Sequence, residues 1–285
     1  MRILVFGRVG QLGSALAELL SPSHETIFLD QPEINLVDTD TVPTHVAAYA
    51  PDLVINAAAY TAVDKAESEP ELAQAINACA PEAMASACAV AGIPLLHYST
   101  DYVFDGNAST PYCETAPVAP CSVYGASKLA GERAVVKAND RHIILRTAWL
   151  YSHVGHNFLK TMLRLAAERK PVRVVDDQVG SPTYAWDLAQ ASVAVVEALA
   201  QDRDDVYGIF HATNTGVTSW HGFAEQIFKS AGCDPVELTP IPTEAYPTPA
   251  PRPAYSVLSC DRLVEVFGVR MPAWQDALAR CIARL

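Results

Sequence analysis

Hydrophobic positions in the first half of the chain come in short, nearly continuous runs, which alternate with longer stretches of helical periodicity. The short runs predict strands at residues 2–6, 26–29, 53–56, 95–99 and 142–146. The longer stretches predict helices at residues 11–20, 71–91 and 123–138. Because strands that are apolar on both faces need helices on both sides, the pattern predicts an α/β fold with a doubly wound parallel sheet. Ligands bind such sheets at the carboxyl ends of the strands.

The second half of the chain is less regular. Strands are predicted at 172–175 and 207–211, and helices at 184–199, 219–231, 261–267 and 274–285. Residues 235–253 are rich in proline, which excludes a long helix there. We expect this stretch to form an ordered loop over a pocket, because two short amphipathic helices follow it and close the chain.

Composition narrows the classes of function. Of the 285 residues, 50% are hydrophobic and 18% are charged, as is usual in a folded enzyme. The net charge of −12 argues against partners such as nucleic acid or an anionic membrane. Seven cysteines without a Cys-x-x-Cys pair indicate reduced thiols. No apolar stretch is long enough for a membrane span or a secretory leader, so a cytoplasmic protein is expected.

The segment Gly7-Arg8-Val9-Gly10-Gln11-Leu12-Gly13 lies directly between the first predicted strand and the first predicted helix. Glycines at this spacing allow a tight turn and let a pyrophosphate rest on the helix N-terminus. Asp30 ends the second strand, where a carboxylate can accept hydrogen bonds from ribose hydroxyls. Asp30 favours NADH, whereas Arg8 could pair with the 2′-phosphate of NADPH, so the choice of cofactor stays open.

The most specific chemical signal is Tyr124-Gly125-Ala126-Ser127-Lys128, at the start of a predicted helix. Positions four apart share one helical face, so the phenol and the ammonium point the same way. A nearby ammonium should lower the pKa of the phenol and make Tyr124 a usable general acid. Thr100 stands where the fourth strand leaves the sheet, and its hydroxyl could bind a carbonyl oxygen of the substrate.

These motifs resemble the extended short-chain dehydrogenase/reductases, and among them the family of dTDP-4-dehydrorhamnose reductases. The resemblance rests on the glycine loop, on residues 56–67, 99–106 and 124–132, and on further matches at 146–149, 157–158, 177–183 and 247–253. It implies a Rossmann sheet with a smaller C-terminal α/β substrate domain. The dinucleotide domain would comprise residues 1–148 and about 165–200, and the substrate domain about 149–164 and 201–285.

The resemblance also implies a reaction and its residues. Hydride passes from NADPH or NADH to C4 of dTDP-4-dehydro-β-L-rhamnose, giving dTDP-β-L-rhamnose, with Tyr124 as the proton donor. The implied catalytic residues are Thr100, Asp101, Tyr124 and Lys128. The implied cofactor-binding residues are Gly7, Gly10, Gln11, Leu12, Gly13, Asp30, Asn35, Leu36, Ala59, Tyr60, Thr61 and Tyr98, with Tyr124 and Lys128. The implied substrate-binding residues are Thr100, Asp101, Trp149 and Asn157. Arg252, near the end of the proline-rich stretch, is a further candidate, because a guanidinium could bind the substrate diphosphate through two hydrogen bonds.

The sequence leaves the bound metal, the oligomeric state and two alternative functions open. Some family members are magnesium-bridged dimers held by a glutamate on the first helix, but that turn reads Ser14-Ala15 here, so no metal is assigned. A homodimer remains an expectation. A sugar-nucleotide dehydratase is disfavoured because Tyr102, and not a second carboxylate, follows Asp101. A reductase of another nucleotide-linked keto-deoxysugar and a non-catalytic dinucleotide-binding subunit remain alternatives.

Overall fold

A computed structural model describes residues 1–201, 203, 205–233 and 237–285. The strands are β1 Arg2–Phe6, β2 Glu25–Leu29, β3 Leu53–Asn56, β4 Leu95–Thr100, β5 His142–Thr147, β6 Leu150–Tyr151, β7 Val172–Val175, β8 Val179–Gly180, β9 Thr183–Tyr184, β10 Gly208–His211, β11 Thr218–Ser219 and β12 Leu238–Ile241. The helices are α1 Gln11–Leu20, α2 Val42–Tyr49, α3 Val63–Ala66, α4 Pro70–Gln74, α5 Ala80–Ala91, α6 Val123–Ala138, α7 Phe158–Ala167, α8 Ala185–Leu199, α9 Trp220–Ser230, α10 Asp261–Phe267 and α11 Trp274–Ile282.

The central sheet is parallel and has the strand order β10-β5-β4-β3-β1-β2. Alternate residues of its strands enter two different cores. Ile3 and Val5 of β1 pack with helices α1 and α8, whereas Leu4 and Phe6 pack with α2 and α5. Burial on both faces explains why these strands are apolar at nearly every position. The predicted α/β fold with a doubly wound parallel sheet is confirmed.

A third hydrophobic cluster lies in the C-terminal half of the chain. It joins β7, α7, α9 and α11 around Tyr151, Tyr184, Phe223 and Trp274. Strand β12 pairs in parallel with β7. The proline-rich stretch predicted as a loop therefore contains a short strand, and a 3₁₀ turn at Thr243–Ala245 follows it. Pro235, where the predicted loop begins, lies outside the described residues.

The helix predicted at residues 71–91 differs in its first half. The chain forms α4, then a π-helical turn at Ala75–Cys79, and then α5. The turn coincides with a close helix contact, since a Cβ on Gly131 of α6 would lie 2.0 Å from the carbonyl oxygen of Asn77. Such π turns inside helices are frequently found at functional sites.

The remaining differences between the predicted and the observed secondary structure concern short elements and the ends of elements. Sequence patterns missed α2, α3, α7 and the two-residue strands, and most other ends agree within one residue. The C-terminal helix is an exception, because it ends at Ile282 and not at Leu285. Of the described helices, none combines the length and the apolar character needed to cross a membrane.

Candidate active site

The loop between β1 and α1 places its three glycines as a pyrophosphate-binding turn requires. Gly7 has a φ of +92°, and a Cβ there would lie 2.8 Å from the backbone nitrogen of Ala58. A Cβ on Gly13 would lie 2.0 Å from the carbonyl oxygen of Gly7, so only glycine lets α1 pack this closely on the loop. Beyond Gly10 and its own neighbours in the chain, none of the described residues places a heavy atom within 4 Å of the position that a Gly10 Cβ would take. An anion can therefore approach the backbone N–H groups that begin α1.

Asp30 follows β2 and reaches the glycine loop through its carboxylate. Its Oδ2 accepts hydrogen bonds from the backbone N–H groups of Arg8 at 2.9 Å and Val9 at 3.0 Å, and its Oδ1 accepts one from Gln31 at 3.0 Å. Burial opposes ionisation, but the three backbone N–H groups together hold the pKa of Asp30 below its usual value. The carboxylate keeps acceptor positions for ribose hydroxyls, because each of its oxygens has two lone pairs.

A cavity of about 730 Å³ opens at the carboxyl ends of the parallel strands. Most of the residues that the sequence predicts for the site line it: Gly7, Gly10, Gln11, Leu12, Asp30, Ala59, Thr61, Tyr98, Thr100, Asp101, Tyr124, Lys128, Trp149 and Asn157. The predicted dinucleotide-binding, proton-donating and sugar-binding residues therefore meet in one space. Their separate roles stay predictions.

Other predicted residues lie outside the cavity lining. Gly13 acts one layer behind it, through the close packing of α1 on the loop. Asn35 is exposed, and its side-chain oxygen accepts a hydrogen bond from the backbone of Val37 at 3.1 Å. Leu36 packs against the hydrophobic core under β1 and α2. The structure does not bring Asn35 or Leu36 to the cavity, because local backbone contacts and core packing direct their side chains elsewhere.

Tyr60 also points away from the cavity. Its hydroxyl donates a hydrogen bond to Oε2 of Glu69 at 2.5 Å, and this bond, followed by burial, raises the pKa of Tyr60 to about 12. Its backbone N–H and carbonyl both bind the side-chain amide of Asn77, at 2.9 and 3.0 Å. Asn77 stands in the π-helical turn and also binds the Ser127 hydroxyl at 3.0 Å. Tyr60 thus helps to fix the loop after β3 against α6, and its phenol is directed to Glu69.

Arg252 is paired within the protein. Its Nη2 donates to Oδ2 of Asp64 at 2.8 Å, and its Nη1 donates to the carbonyl of Ala250 at 3.1 Å. The Asp64 carboxylate also accepts the backbone N–H of Ala250 at 3.2 Å. These bonds fasten the proline-rich segment to α3 and place the guanidinium outside the cavity lining. The predicted contact of Arg252 with the substrate diphosphate therefore has no support from its position.

Thr100 and Asp101 stand where β4 leaves the sheet. The Thr100 hydroxyl donates to Oδ1 of Asp101 at 2.9 Å, and it accepts the backbone N–H of Tyr102 at 3.2 Å. Burial raises the pKa of Asp101 to about 6, against the opposing effect of hydroxyl groups from Ser256 and Thr100. These two hydrogen bonds fix the orientation of the Thr100 hydroxyl, and Thr100 lines the cavity.

Tyr124 lies in the first turn of α6, which Ser122 caps by accepting the backbone N–H of Gly125 at 3.1 Å. Burial raises the pKa of Tyr124 to about 12, a hydrogen bond with Thr100 opposes this rise, and the charge of Asp101 adds to it. The expectation that Lys128 lowers this pKa is therefore wrong for this arrangement. A phenol with a raised pKa is protonated throughout the neutral range, which is the state that a proton donor needs.

The Lys128 ammonium is directed at the sheet and not at the phenol. Its Nζ donates to the backbone carbonyl of Tyr98 at 2.7 Å, and only 2% of the residue is exposed. Burial lowers the pKa of Lys128 to about 8, while the charge of Glu132 raises it. Glu132 in turn binds Arg146 through two hydrogen bonds, Nε–Oε1 at 2.8 Å and Nη2–Oε2 at 2.6 Å. The lysine thus belongs to a buried chain of charges that links α6 to β5.

Tyr98 and Asn157 line the cavity, but their side chains already make hydrogen bonds within the protein. The Tyr98 hydroxyl bonds to that of Ser192 on α8 at 2.6 Å. The Asn157 side chain caps α7 by accepting from Lys160, and its Nδ2 donates to Oε1 of Gln11 at 2.8 Å and to the Ser152 carbonyl at 2.7 Å. Asn157 therefore joins the glycine loop to the segment before α7, and the Tyr98 carbonyl binds the Lys128 ammonium.

Sequence patterns missed several cavity residues. Ser99, Thr147 and Trp220 line the cavity, and Asn77 orients two of the segments that form it. Thr147 pairs with Thr100 in the β4–β5 register, so its position follows once the strand order is known. Asn77 carried a usable signal, because a polar residue on the buried face of a predicted helix needs hydrogen-bond partners. Trp220 carried no comparable signal. Its place after the helix-capping Ser219 indicates only that it is the first residue of a helix.

The chemistry of these groups fits a nicotinamide dinucleotide. The open approach at Gly10 suits a pyrophosphate, and the Asp30 carboxylate suits a ribose. The hydroxyls of Ser99 and Thr147 are buried without a hydrogen-bond partner among the described residues, and both residues line the cavity. Buried hydroxyl groups of this kind match a ligand with polar atoms. Within the described residues, no three His, Cys, Asp or Glu side chains cluster as metal ligands do.

Comparison with known proteins gives one consistent family. The chain matches the family described as RmlD substrate binding domain over residues 1–285. A curated dTDP-4-dehydrorhamnose reductase from Sinorhizobium fredii is 44% identical, over 99% of this chain and 97% of its own length. A crystal structure of a dTDP-4-dehydrorhamnose reductase from Clostridium acetobutylicum has a TM-score of 0.93 at 40% identity, covering 100% of this chain and 99% of that one. The enzyme of that name from Bacillus anthracis, in complex with NADP, has a TM-score of 0.92 at 38% identity, with coverage of 100% and 99%.

Proposed function

Because the chain belongs to the RmlD substrate binding domain family, we infer that it reduces the C4 keto group of dTDP-4-dehydro-β-L-rhamnose with NADPH or NADH. The product is dTDP-β-L-rhamnose. The observation that carries this proposal is the meeting of Thr100, Tyr124 and Lys128 with the glycine loop in one cavity. A ketone that enters this cavity meets hydrogen-bond donors on one side and the dinucleotide site on the other.

The bound dinucleotide supplies two electrons and a proton as hydride to the carbonyl carbon. The residues of the chain supply positioning and the second proton. We assign proton donation to the Tyr124 hydroxyl, because burial keeps it protonated at neutral pH. The Thr100 hydroxyl would hold the reacting oxygen by turning its proton from Asp101 to the substrate. Lys128 provides positive charge beside the site, which favours the negative charge that develops on that oxygen.

The cavity also supports the division of the chain that the resemblance implies. We propose that residues 1–148 with about 165–200 bind the dinucleotide, and that about 149–164 with 201–285 bind the sugar nucleotide. Gly7 and Asp30 line the cavity from the first unit, while Trp149, Asn157 and Trp220 line it from the second. Both substrates are then held in one orientation, which is the main way that a protein accelerates such a transfer.

The proposed reaction suits a cytoplasmic protein. All seven cysteines are free thiols, and Cys79, Cys113 and Cys121 are exposed. Free exposed thiols persist in a reducing compartment, where reduced nicotinamide cofactors are also kept. A homodimer stays a prediction of the resemblance, which sedimentation of the purified chain would test.

The function is tested with purified protein, NADPH or NADH, and dTDP-4-dehydro-β-L-rhamnose. We expect loss of the reduced-nicotinamide absorbance together with formation of dTDP-β-L-rhamnose in equal amounts. A folded protein that binds NADPH but gives no turnover would support the non-catalytic alternative. Faster turnover of a different keto-deoxysugar nucleotide would support the alternative reductase.

The pH dependence of the reaction tests the role of Lys128. We expect kcat/KM for the keto sugar to fall as pH rises through about 8, because the Lys128 ammonium loses its proton there. Tyr124 is not expected to cause this limb, since burial raises its pKa to about 12. A kcat/KM that stays constant between about pH 7 and pH 9.5 would contradict the role of the charged lysine.

Arg8 is expected to govern the choice between the two cofactors. The residue is exposed, and its guanidinium carbon lies 6.0 Å from the Phe28 ring centroid, near the end of β2 where Asp30 follows. The Arg8→Ala change should weaken NADPH binding by about tenfold or more, the effect of one charge-assisted contact, and NADH binding by less than about twofold. Titration of both cofactors by calorimetry measures the two constants, with the exposed Arg173→Ala as control. Equal losses for NADPH and NADH would mean that Arg8 does not meet the 2′-phosphate.

A further inference from the structure

Trp149 has an unusual backbone conformation at the edge of the cavity. Its φ is +50°, in the left-handed region that bulky residues rarely adopt. It follows β5 two positions after Thr147, which pairs with Thr100 across the sheet. Strained conformations of this kind persist where surrounding contacts enforce them, and they concentrate at functional sites.

Two contacts enforce the position of the Trp149 indole. Trp220 lies parallel to it, with ring centroids 3.6 Å apart and an angle of 5° between the planes. Gly180 lies against its edge, and a Cβ at Gly180 would come within 2.5 Å of Trp149 Cε2. Phe158 packs behind Trp220, with a centroid distance of 4.7 Å.

A small antiparallel ladder holds these contacts together. Strands β8 and β11 pair so that Gly180 faces Thr218, directly before the start of α9. Ser219 then caps α9 by accepting the backbone N–H of Gly222 at 2.9 Å, which makes Trp220 the first residue of the helix. The ladder therefore carries both Gly180 and Trp220 to the Trp149 indole.

We infer that Trp220 is a positioning residue of the sugar site: it holds Trp149 in place and forms with it an apolar wall for the deoxysugar. This inference rests on the proposed function. Both tryptophans line the same cavity as Thr100 and Tyr124. A 6-deoxy sugar has a methyl group and apolar ring faces, which gain from contact with flat hydrocarbon surface. The phosphates of the dinucleotide would lie at the other end of the cavity, over the glycine loop.

The experiment compares Trp220→Leu and Trp220→Phe in the full chain. Trp220→Leu keeps apolar bulk but loses the flat ring, whereas Trp220→Phe keeps a flat ring. Trp186→Phe is the matched control. Trp186 lies on α8, outside the cavity lining, and its ring stacks with Arg284. Calorimetry measures the dissociation constants of dTDP-β-L-rhamnose, dTDP and NADPH, and steady-state kinetics measures kcat and KM.

For Trp220→Leu we expect the dissociation constant of dTDP-β-L-rhamnose and the KM of the keto sugar to rise by about tenfold. Binding of dTDP and NADPH should change by less than about twofold, and kcat by less than about threefold. Trp220→Phe should show a smaller loss.

Two outcomes would overturn the inference. They are an unchanged affinity for dTDP-β-L-rhamnose in Trp220→Leu, and an equal loss of affinity for dTDP alone. A melting temperature near that of the wild type shows that a loss of affinity is not a loss of folding. If Trp220→Leu does not fold, Trp220→Phe tests the inference instead. Its dissociation constant for dTDP-β-L-rhamnose should then rise more than its dissociation constant for dTDP. A wild-type protein that neither binds dTDP-β-L-rhamnose nor turns over the keto sugar would contradict the proposed function itself.

Discussion

Replacing Tyr124 with phenylalanine is expected to lower kcat by about 10²–10⁴, the range found when a general acid is lost. The phenyl ring keeps the packing of α6 against the cavity and its edge-on contact with Tyr102, whose ring centroid lies 5.5 Å away. Only the hydroxyl is removed, so the developing alkoxide must take its proton from water. Binding of NADPH should change by less than about threefold, because the glycine loop and Asp30 are untouched.

Steady-state kinetics with the keto sugar nucleotide measures this effect, and calorimetry measures NADPH binding. Tyr246→Phe is a suitable control, because Tyr246 is 59% exposed and lies outside the cavity lining. A Tyr124→Phe enzyme that keeps a turnover number within about threefold of the wild type would remove the phenol from the mechanism. Thr100 or Asp101 would then be the next proton donor to test, since both reach the same cavity.

The sheet was predictable because its strands carry their own signal. A strand buried on both faces, such as β3, is apolar at nearly every position whatever surrounds it. Helix α7 was not predicted, although its sequence carries a signal: Asn157 caps it, and a strongly one-sided apolar pattern follows. The π-helical turn at Ala75–Cys79 was not predictable, because it coincides with a contact between Asn77 and Gly131, which lie far apart in the sequence.

Side-chain direction limits the prediction of the site more than position does. The pattern at residues 56–67 places Tyr60 correctly after β3. Its phenol, however, donates a hydrogen bond to Glu69 and therefore points away from the cavity. Arg252 is placed beside the site by its loop, yet Asp64, 188 positions earlier, takes its guanidinium. Lys128 shares a helical face with Tyr124 as its spacing requires, and the Tyr98 carbonyl still determines where the ammonium points. In each case a partner that no local pattern identifies decides the outcome.

The chain of buried charges behind Lys128 explains how an ammonium can be held in an apolar site. Glu132 lies one turn further along α6, with only 2% of its side chain exposed, and Arg146 has 3% exposed. A carboxylate in this position raises the pKa of Lys128, against the lowering effect of burial. Glu132 therefore has two separate functions: it neutralises the Arg146 guanidinium, and it helps to keep Lys128 charged near neutral pH.

The change Glu132→Gln should affect both functions. It leaves the buried Arg146 without its countercharge, and breaking such a pair costs about 3–5 kcal/mol in the free energy of unfolding. The melting temperature should fall by on the order of 10 °C. The alkaline limb of kcat/KM should also move below about pH 8, because the charge that raises the pKa of Lys128 is gone. Calorimetric melting and a pH series of initial rates measure the two effects.

The double variant Glu132→Leu with Arg146→Met separates stability from catalysis. Replacing both members of a buried ion pair by apolar residues of similar volume is often neutral or stabilising, so the melting temperature should return close to that of the wild type. The alkaline limb should stay displaced to lower pH, because Lys128 still lacks the carboxylate. If the limb instead returned to about pH 8 in the double variant, or never moved in Glu132→Gln, Glu132 would act on folding alone. The charge of Lys128 would then depend on its bond to the Tyr98 carbonyl.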